Sequence, residues 1–224
     1  MKPVCEHPIL FSDPMVCAIL AGQKTQTRRV VKWRDLQPGL NLSFSSLEVF
    51  SYVPGTYTLE SRTRNGVESR SSPTRCPYGQ PGDRLWVREA FARIDGQTQP
   101  WIETDYRATY QQGYRLGDTL GIRKLWSPSI HMPRHASRIT LEITGVRVER
   151  LGAISAADAK AEGIEGQTEC GPWRNYERAG HWFPEGKSTA PKLSFASLWH
   201  AINGAGSWQT NPWVWVINFK RLEA

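Results

Sequence analysis

Three short stretches alternate in the manner of β-strands, and they lie far apart in the chain, at residues 84–91, 137–148 and 213–219. In the first, Leu85, Val87, Glu89 and Phe91 alternate with Arg84, Trp86, Arg88 and Ala90. In the second, Ile139, Leu141 and Ile143 share a face before Gly145, a residue that allows a bulge or a bend. In the third, Trp213 and Trp215 fall at strand spacing and read as core. A fourth short strand is expected at 9–11. Ser12-Asp13-Pro14 then starts a helix over about 14–21, with a capping side chain before a proline in the first turn, and Gly22 ends it. Ser155 with Asp158 resembles a capping box, opening a helix to about Glu162 that Gly163 closes. A further helix is expected over 195–202. The order predicts an α+β fold, a small and mostly antiparallel β-barrel with helices at its rim.

Long segments separate these elements, and no internal repeat is visible. With 224 residues, one domain is expected, carrying insertions at about 32–80, 92–135 and 163–193. The first reads as a hairpin region, with turn signals at Pro54-Gly55 and Asn65-Gly66. Hydrophobic residues make up 39% and charged residues 22%, enough apolar material for a real core, so wholesale disorder is excluded. Ten tryptophans are too many large rings for a small domain to bury completely, and some are expected to line a cleft. Cys5, Cys17, Cys76 and Cys170 form no C-x-x-C pair and read as free thiols in a reducing compartment. The apolar run at 15–21 is too short to span a bilayer, which implies a cytoplasmic protein with no membrane partner.

Lys and Arg outnumber Asp and Glu by 28 to 21, a formal charge of +7, and the excess lies wholly within residues 1–150. Such a balance favours a polyanionic partner. The densest basic cluster follows the first helix, where Lys24, Arg28 and Arg29 lie within a polar, β-branched run. In this segment Gly22, Lys24 and Arg29 meet the G-x-K-x-x-x-x-R pattern of the ASCH family, a branch of the PUA-like β-barrels. The chain resembles that family in three further stretches: Pro81-Gly82-Asp83-Arg84-Leu85, the strand with Glu142, and Trp215-Val216-Ile217-Asn218-Phe219. The matched core, 9–29, 79–91, 136–165 and 194–222, covers 93 of 224 residues, and the whole is similar to longer ASCH proteins of phages and prophages.

The resemblance implies a PUA-like barrel. It also implies a site, because compact bacterial members remove the acetyl group from N(4)-acetylcytidine with a Lys, a Thr three residues later and a distant Glu. Those roles fall on Lys24, Thr27 and Glu162, with Glu89 as a second candidate carboxylate. Amide hydrolysis asks for a nucleophile, a group that takes its proton and a holder for the oxyanion. A lysine at its reference pKa is neutral in only about one molecule in 2,500 at pH 7, so its use as a base costs about 4.6 kcal/mol unless the site lowers that pKa. Burial and the charges of Arg28 and Arg29 would lower it, while an ionised Glu162 would raise it. Lys24 is therefore either base or oxyanion partner. On a flat strand Lys24 and Thr27 would face opposite sides, so cooperation requires a bend just after Gly22.

Other residues are candidates for binding. Trp86, Arg88 and Glu89 could supply a stacking ring and a charge for a base edge. His131 could line a pocket, but Pro133 between it and His135 argues against a metal site. The expected partner is a modified nucleoside or RNA, with DNA as the alternative, and with no metal and no cofactor. The alternatives to a hydrolase are a noncatalytic RNA- or DNA-binding module, with Lys24, Arg28 and Arg29 on phosphates, and a ribonuclease using the same basic cleft.

Overall fold

A computed structural model describes residues 3–34, 47–63, 66–94, 103–111, 126–168, 171–184 and 187–223. The chain is a mixed α+β fold, mainly sheet, with three α-helices among the described residues. Its central sheet has five strands, β1 (Glu6–Leu10), β2 (Gln26–Val30), β7 (Arg84–Arg88), β10 (Thr140–Arg150) and β13 (Trp213–Leu222), in the order β1-β7-β10-β13-β2. All pairs are antiparallel except β1 with β7, which run parallel. No backbone ladder joins β1 to β2 among the described residues, so the sheet is open there. The Arg29 side chain crosses the gap, donating from Nη2 to the Leu10 carbonyl at 2.7 Å.

The long pair β10 and β13 forms the spine. Ile139, Leu141 and Ile143 are all buried, as their alternation requires, and they pack with Val214, Trp215, Val216 and Ile217. The register shifts between Ile143 and Gly145, the bulge that the glycine allows. Gly145 is also a place of close approach, because a Cβ there would meet the Asn218 amide nitrogen at 3.2 Å. The stretch 84–91 divides, since β7 ends at Arg88 and β8 (Phe91–Ile94) pairs with β9 (Glu103–Tyr106). Glu89, between them, is buried and held by Arg138 through two bonds of 2.9 Å.

The helices close the other faces. α1 (Asp13–Leu20) ends where expected, at Gly22 with φ +74°, although the Ser12 hydroxyl makes no capping bond. α2 (Ala156–Ala161) is capped by Ser155, which accepts from the Asp158 N–H. α3 (Ala190–Asn203) starts earlier than expected, because Pro191 sits in its first turn, where a missing N–H is harmless. The insertion after β2 forms a second sheet of β3 (Leu47–Val53), β4 (Thr56–Thr63), β5 (Gly66–Arg70) and β6 (Thr74–Arg75), and Pro54-Gly55 makes the β3–β4 turn. Tyr57 of β4 rivets this sheet to the spine, its ring edge-on to Trp215 at 5.2 Å and its hydroxyl donating to the Val146 carbonyl at 2.9 Å. In the third insertion, β11 (Trp173–Arg174) and β12 (Trp182–Phe183) form a short hairpin. The segment 112–125 lies outside the described residues.

Cys5 and Cys17 are exposed free thiols and Cys76 is a buried one, whereas Cys170 falls outside the described residues. Burial pushes the Cys76 thiol up to about 11. Only the thiolate reacts. At pH 8.5 Cys76 is therefore expected to react with a chromogenic disulfide far more slowly than the exposed Cys5 and Cys17, and to react fully once the chain is unfolded in urea. Equal rates for the three in the native protein would refute its buried placement.

Candidate active site

The turn after α1 sets the site. The N–H groups of Gln23 and Lys24 both return to the Ala18 carbonyl, at 2.9 and 3.0 Å, which folds the chain back on the helix end. Lys24 then makes an isolated antiparallel bridge with Glu162, just past α2, and the Thr25 N–H donates to the Ala161 carbonyl. Regular strand begins only at Gln26. The parity problem between Lys24 and Thr27 therefore does not arise, because Lys24 precedes the strand, and both line one cavity of about 190 Å³.

Within this cavity Lys24 is almost wholly enclosed. Its Nζ donates to the Glu162 carbonyl at 2.6 Å and to Glu162 Oε2 at 2.8 Å. The other carboxylate oxygen, Oε1, accepts from Arg28 Nη1 at 3.1 Å. One carboxylate is thus divided between two buried cations. Arg28 is itself clamped: Nη1 donates to Gln26 Oε1 at 2.5 Å, Nη2 donates to Glu149 Oε1 at 2.7 Å, and Asp158 lies 3.5 Å from Nη2. Gln26 in turn donates to Asp158 at 3.0 Å and to Asn218 at 2.6 Å, so the space left by Gly145 admits the carboxamide that anchors this network. Gly163, at φ +80°, backs onto the lysine, where a Cβ would meet the Lys24 Cβ at 2.9 Å.

Electrostatics follow from this enclosure. Burial, the largest influence, holds the Lys24 amine below the usual lysine range; the charge and hydrogen bond of Glu162 push it back up, and Arg29 and Arg28 reinforce the lowering. Desolvation pushes Asp158 upward, yet hydrogen bonds from Gln26 and Ser155 and the charges of Arg28 and Arg147 hold it below its ordinary value. Thr27 is buried at 4% exposure, and its hydroxyl makes no hydrogen bond among the described residues. The walls are apolar: Phe11, Met15, Phe195 and Trp199. The Phe11 ring lies 5.6 Å from Lys24 Nζ and 5.5 Å from the Arg29 guanidinium. A cavity smaller than the ~300–1,000 Å³ of drug-sized sites suits a group the size of a single base.

Of the residues singled out in the sequence, Lys24, Thr27, Arg28, Arg29 and Glu162 line this cavity, while Gly22 makes the turn that leads into it. Trp86, Arg88, Glu89 and His131 do not line it. Arg88 stacks on Trp86 at 5.4 Å, Glu89 is paired with Arg138, and His131 is exposed in a 3-10 turn. Sequence reading missed Gln26, Glu149, Asp158 and Asn218. Only the alternation of Gln26 with Arg28 hinted at a shared face, and Asp158 read as a capping residue alone. Among the described residues, no group of three or more His, Cys, Asp or Glu side chains could hold a metal ion. No described helix is long and apolar enough to cross a membrane. The chain matches no protein-family model, no curated protein and no solved structure.

Removing Arg28 would leave Glu162 to Lys24 alone and Glu149 and Asp158 to the partly exposed Arg147, and breaking a buried ion pair costs about 3–5 kcal/mol. Arg28→Met is therefore expected to lower urea-unfolding stability by that amount. Arg147→Met, which removes a 39% exposed partner of Glu149 and Asp158, should cost less than about 1 kcal/mol. Equal losses for the two variants would contradict the clamp.

Proposed function

We propose that this chain is a PUA-like protein of the ASCH type that hydrolyses the amide of an acylated cytosine-type base, N(4)-acetylcytidine or a close analogue, with Thr27 as nucleophile, Lys24 as base and Glu162 as the carboxylate that orients Lys24. The observation that carries the proposal is the Lys24–Glu162 pair, 2.8 Å apart, on the wall of a base-sized cavity that also holds an unpartnered Thr27 hydroxyl.

Two acceptors on Glu162 take two of the N–H groups of Lys24. A neutral amine then keeps its lone pair for the Thr27 proton, and the burial that lowers the lysine pKa favours this form. The Thr27 oxygen adds to the acyl carbon, and the amine nitrogen of the base departs with the proton that Lys24 has taken. Water then cleaves the acyl-threonine ester, so amide plus water gives free base and carboxylic acid. Arg29, on the same wall, offers positive charge to the developing oxyanion. The five-stranded order and the Arg29 bridge between β1 and β2 support a barrel-like arrangement, with a side chain standing where a ladder would close it.

Incubation with N(4)-acetylcytidine tests the activity through release of cytidine and acetate. Thr27→Val should abolish turnover and Thr27→Ser should keep part of it. Lys24→Met should lower kcat by about 10²–10⁴-fold, the usual contribution of a positioned base. The rate should rise with pH towards a midpoint below the ordinary lysine value of about 10.4, because the neutral amine is the active form. Lys24→Arg should remove that limb. Unaltered turnover in Thr27→Val, or shortening of RNA without acetate release, would overturn the assignment.

A further inference from the structure

A second and larger concavity, about 820 Å³, adjoins the first, with Val30 lining both. Beyond Val30 the chain continues along it, with Lys32 and Arg34 at every second position from Val30, on one wall. Further lining comes from the inserted sheet and the segment after it, where Arg75 stands with its Nε donating to the Thr56 hydroxyl at 3.2 Å, and Tyr78 presents a half-buried ring. Among the described residues, three cations and no acidic side chain line this groove. None of the three makes an ion pair among the described residues, whereas Lys24 and Arg28 of the first cavity are each paired with carboxylates. Unspent positive charge beside a ring is the combination that holds a single nucleic-acid strand, with cations along the phosphates and an aromatic face for a base.

We propose that this groove binds the phosphate backbone of single-stranded RNA next to the nucleotide whose base enters the Lys24 cavity, so that the substrate is a modified cytidine within a strand. The proposal rests on the hydrolase reading for what happens in the cavity, but strand binding by the groove is measurable without turnover. Val30 to Arg34 spans at most about 14 Å of extended chain, so the groove lies within a few nucleotides of the base site. A strand also fits the geometry better than a duplex, because the enclosed cavity admits only a base already out of the stack.

The test compares the wild-type chain with K32A/R34A/R75A and with R178A/K187A/K220A, which removes the same charge from other surfaces. Anisotropy of a fluorescein-labelled, unmodified 12-nucleotide RNA is followed against salt. Each phosphate contact contributes about 0.7 to the slope of log affinity against log salt. The groove variant should lose about two units of slope and at least tenfold in affinity, and the control variant should bind like the wild type. Hydrolysis of free N(4)-acetylcytidine should be unchanged in both. Turnover of the same base within an oligonucleotide should exceed that of the nucleoside in the wild type, and this advantage should disappear in the groove variant. Equal weakening in the two variants, no binding by the wild type, or displacement of the RNA by polyglutamate at equal charge would each overturn the groove assignment. Normal groove behaviour with no nucleoside hydrolysis would strike at the hydrolase reading instead.

Discussion

A single carboxylate, that of Glu162, holds the middle of this molecule together. Its two oxygens are taken by Lys24 and Arg28, and its backbone carbonyl accepts from Lys24 as well. Two cations and their partners could not be taken out of water here unless each charge found an opposite one at hydrogen-bond distance. The arrangement joins the end of α1, the start of β2 and the end of α2 at one point, on the wall of a cavity that Thr27 also lines. Arg28 and Lys24 are therefore held by the same charge, and the carboxylate between them couples the two.

Parts of the fold governed by neighbouring residues were legible from the chain alone. The end of α1 at Gly22, the Ser155 cap, the bulge at Gly145 and the turn at Pro54-Gly55 each follow from the local needs of one or two residues. Features that depend on distant partners were not. Nothing in residues 6–10 and 84–88 signals a parallel pairing, and the division after Arg88 depends on Arg138, which lies 49 positions from the Glu89 it holds. The start of α3 was hidden because Thr189 and Pro191 resemble a loop until the rest of the helix is packed.

The site was legible in the same uneven way. Lys24, Thr27 and Glu162 entered through family resemblance, since no spacing argument links residues 138 positions apart. The bend that brings Lys24 to Glu162 was foreshadowed by Gly22. Beyond the alternation of Gln26 with Arg28, the clamp around Arg28 had no local signature, because Glu149, Asp158 and Asn218 are ordinary in their own segments and meet it only in three dimensions.

The contact of Tyr57 with Trp215 carries a wider meaning. Trp215 stands opposite Arg29 in the β13–β2 register and also lines the second concavity, so the added sheet rests on the strand paired with the one that carries Thr27 and Arg29. An appendage mounted there can be lengthened, trimmed or recoloured, and the second concavity reshaped with it, while the charges around Glu162 keep their places.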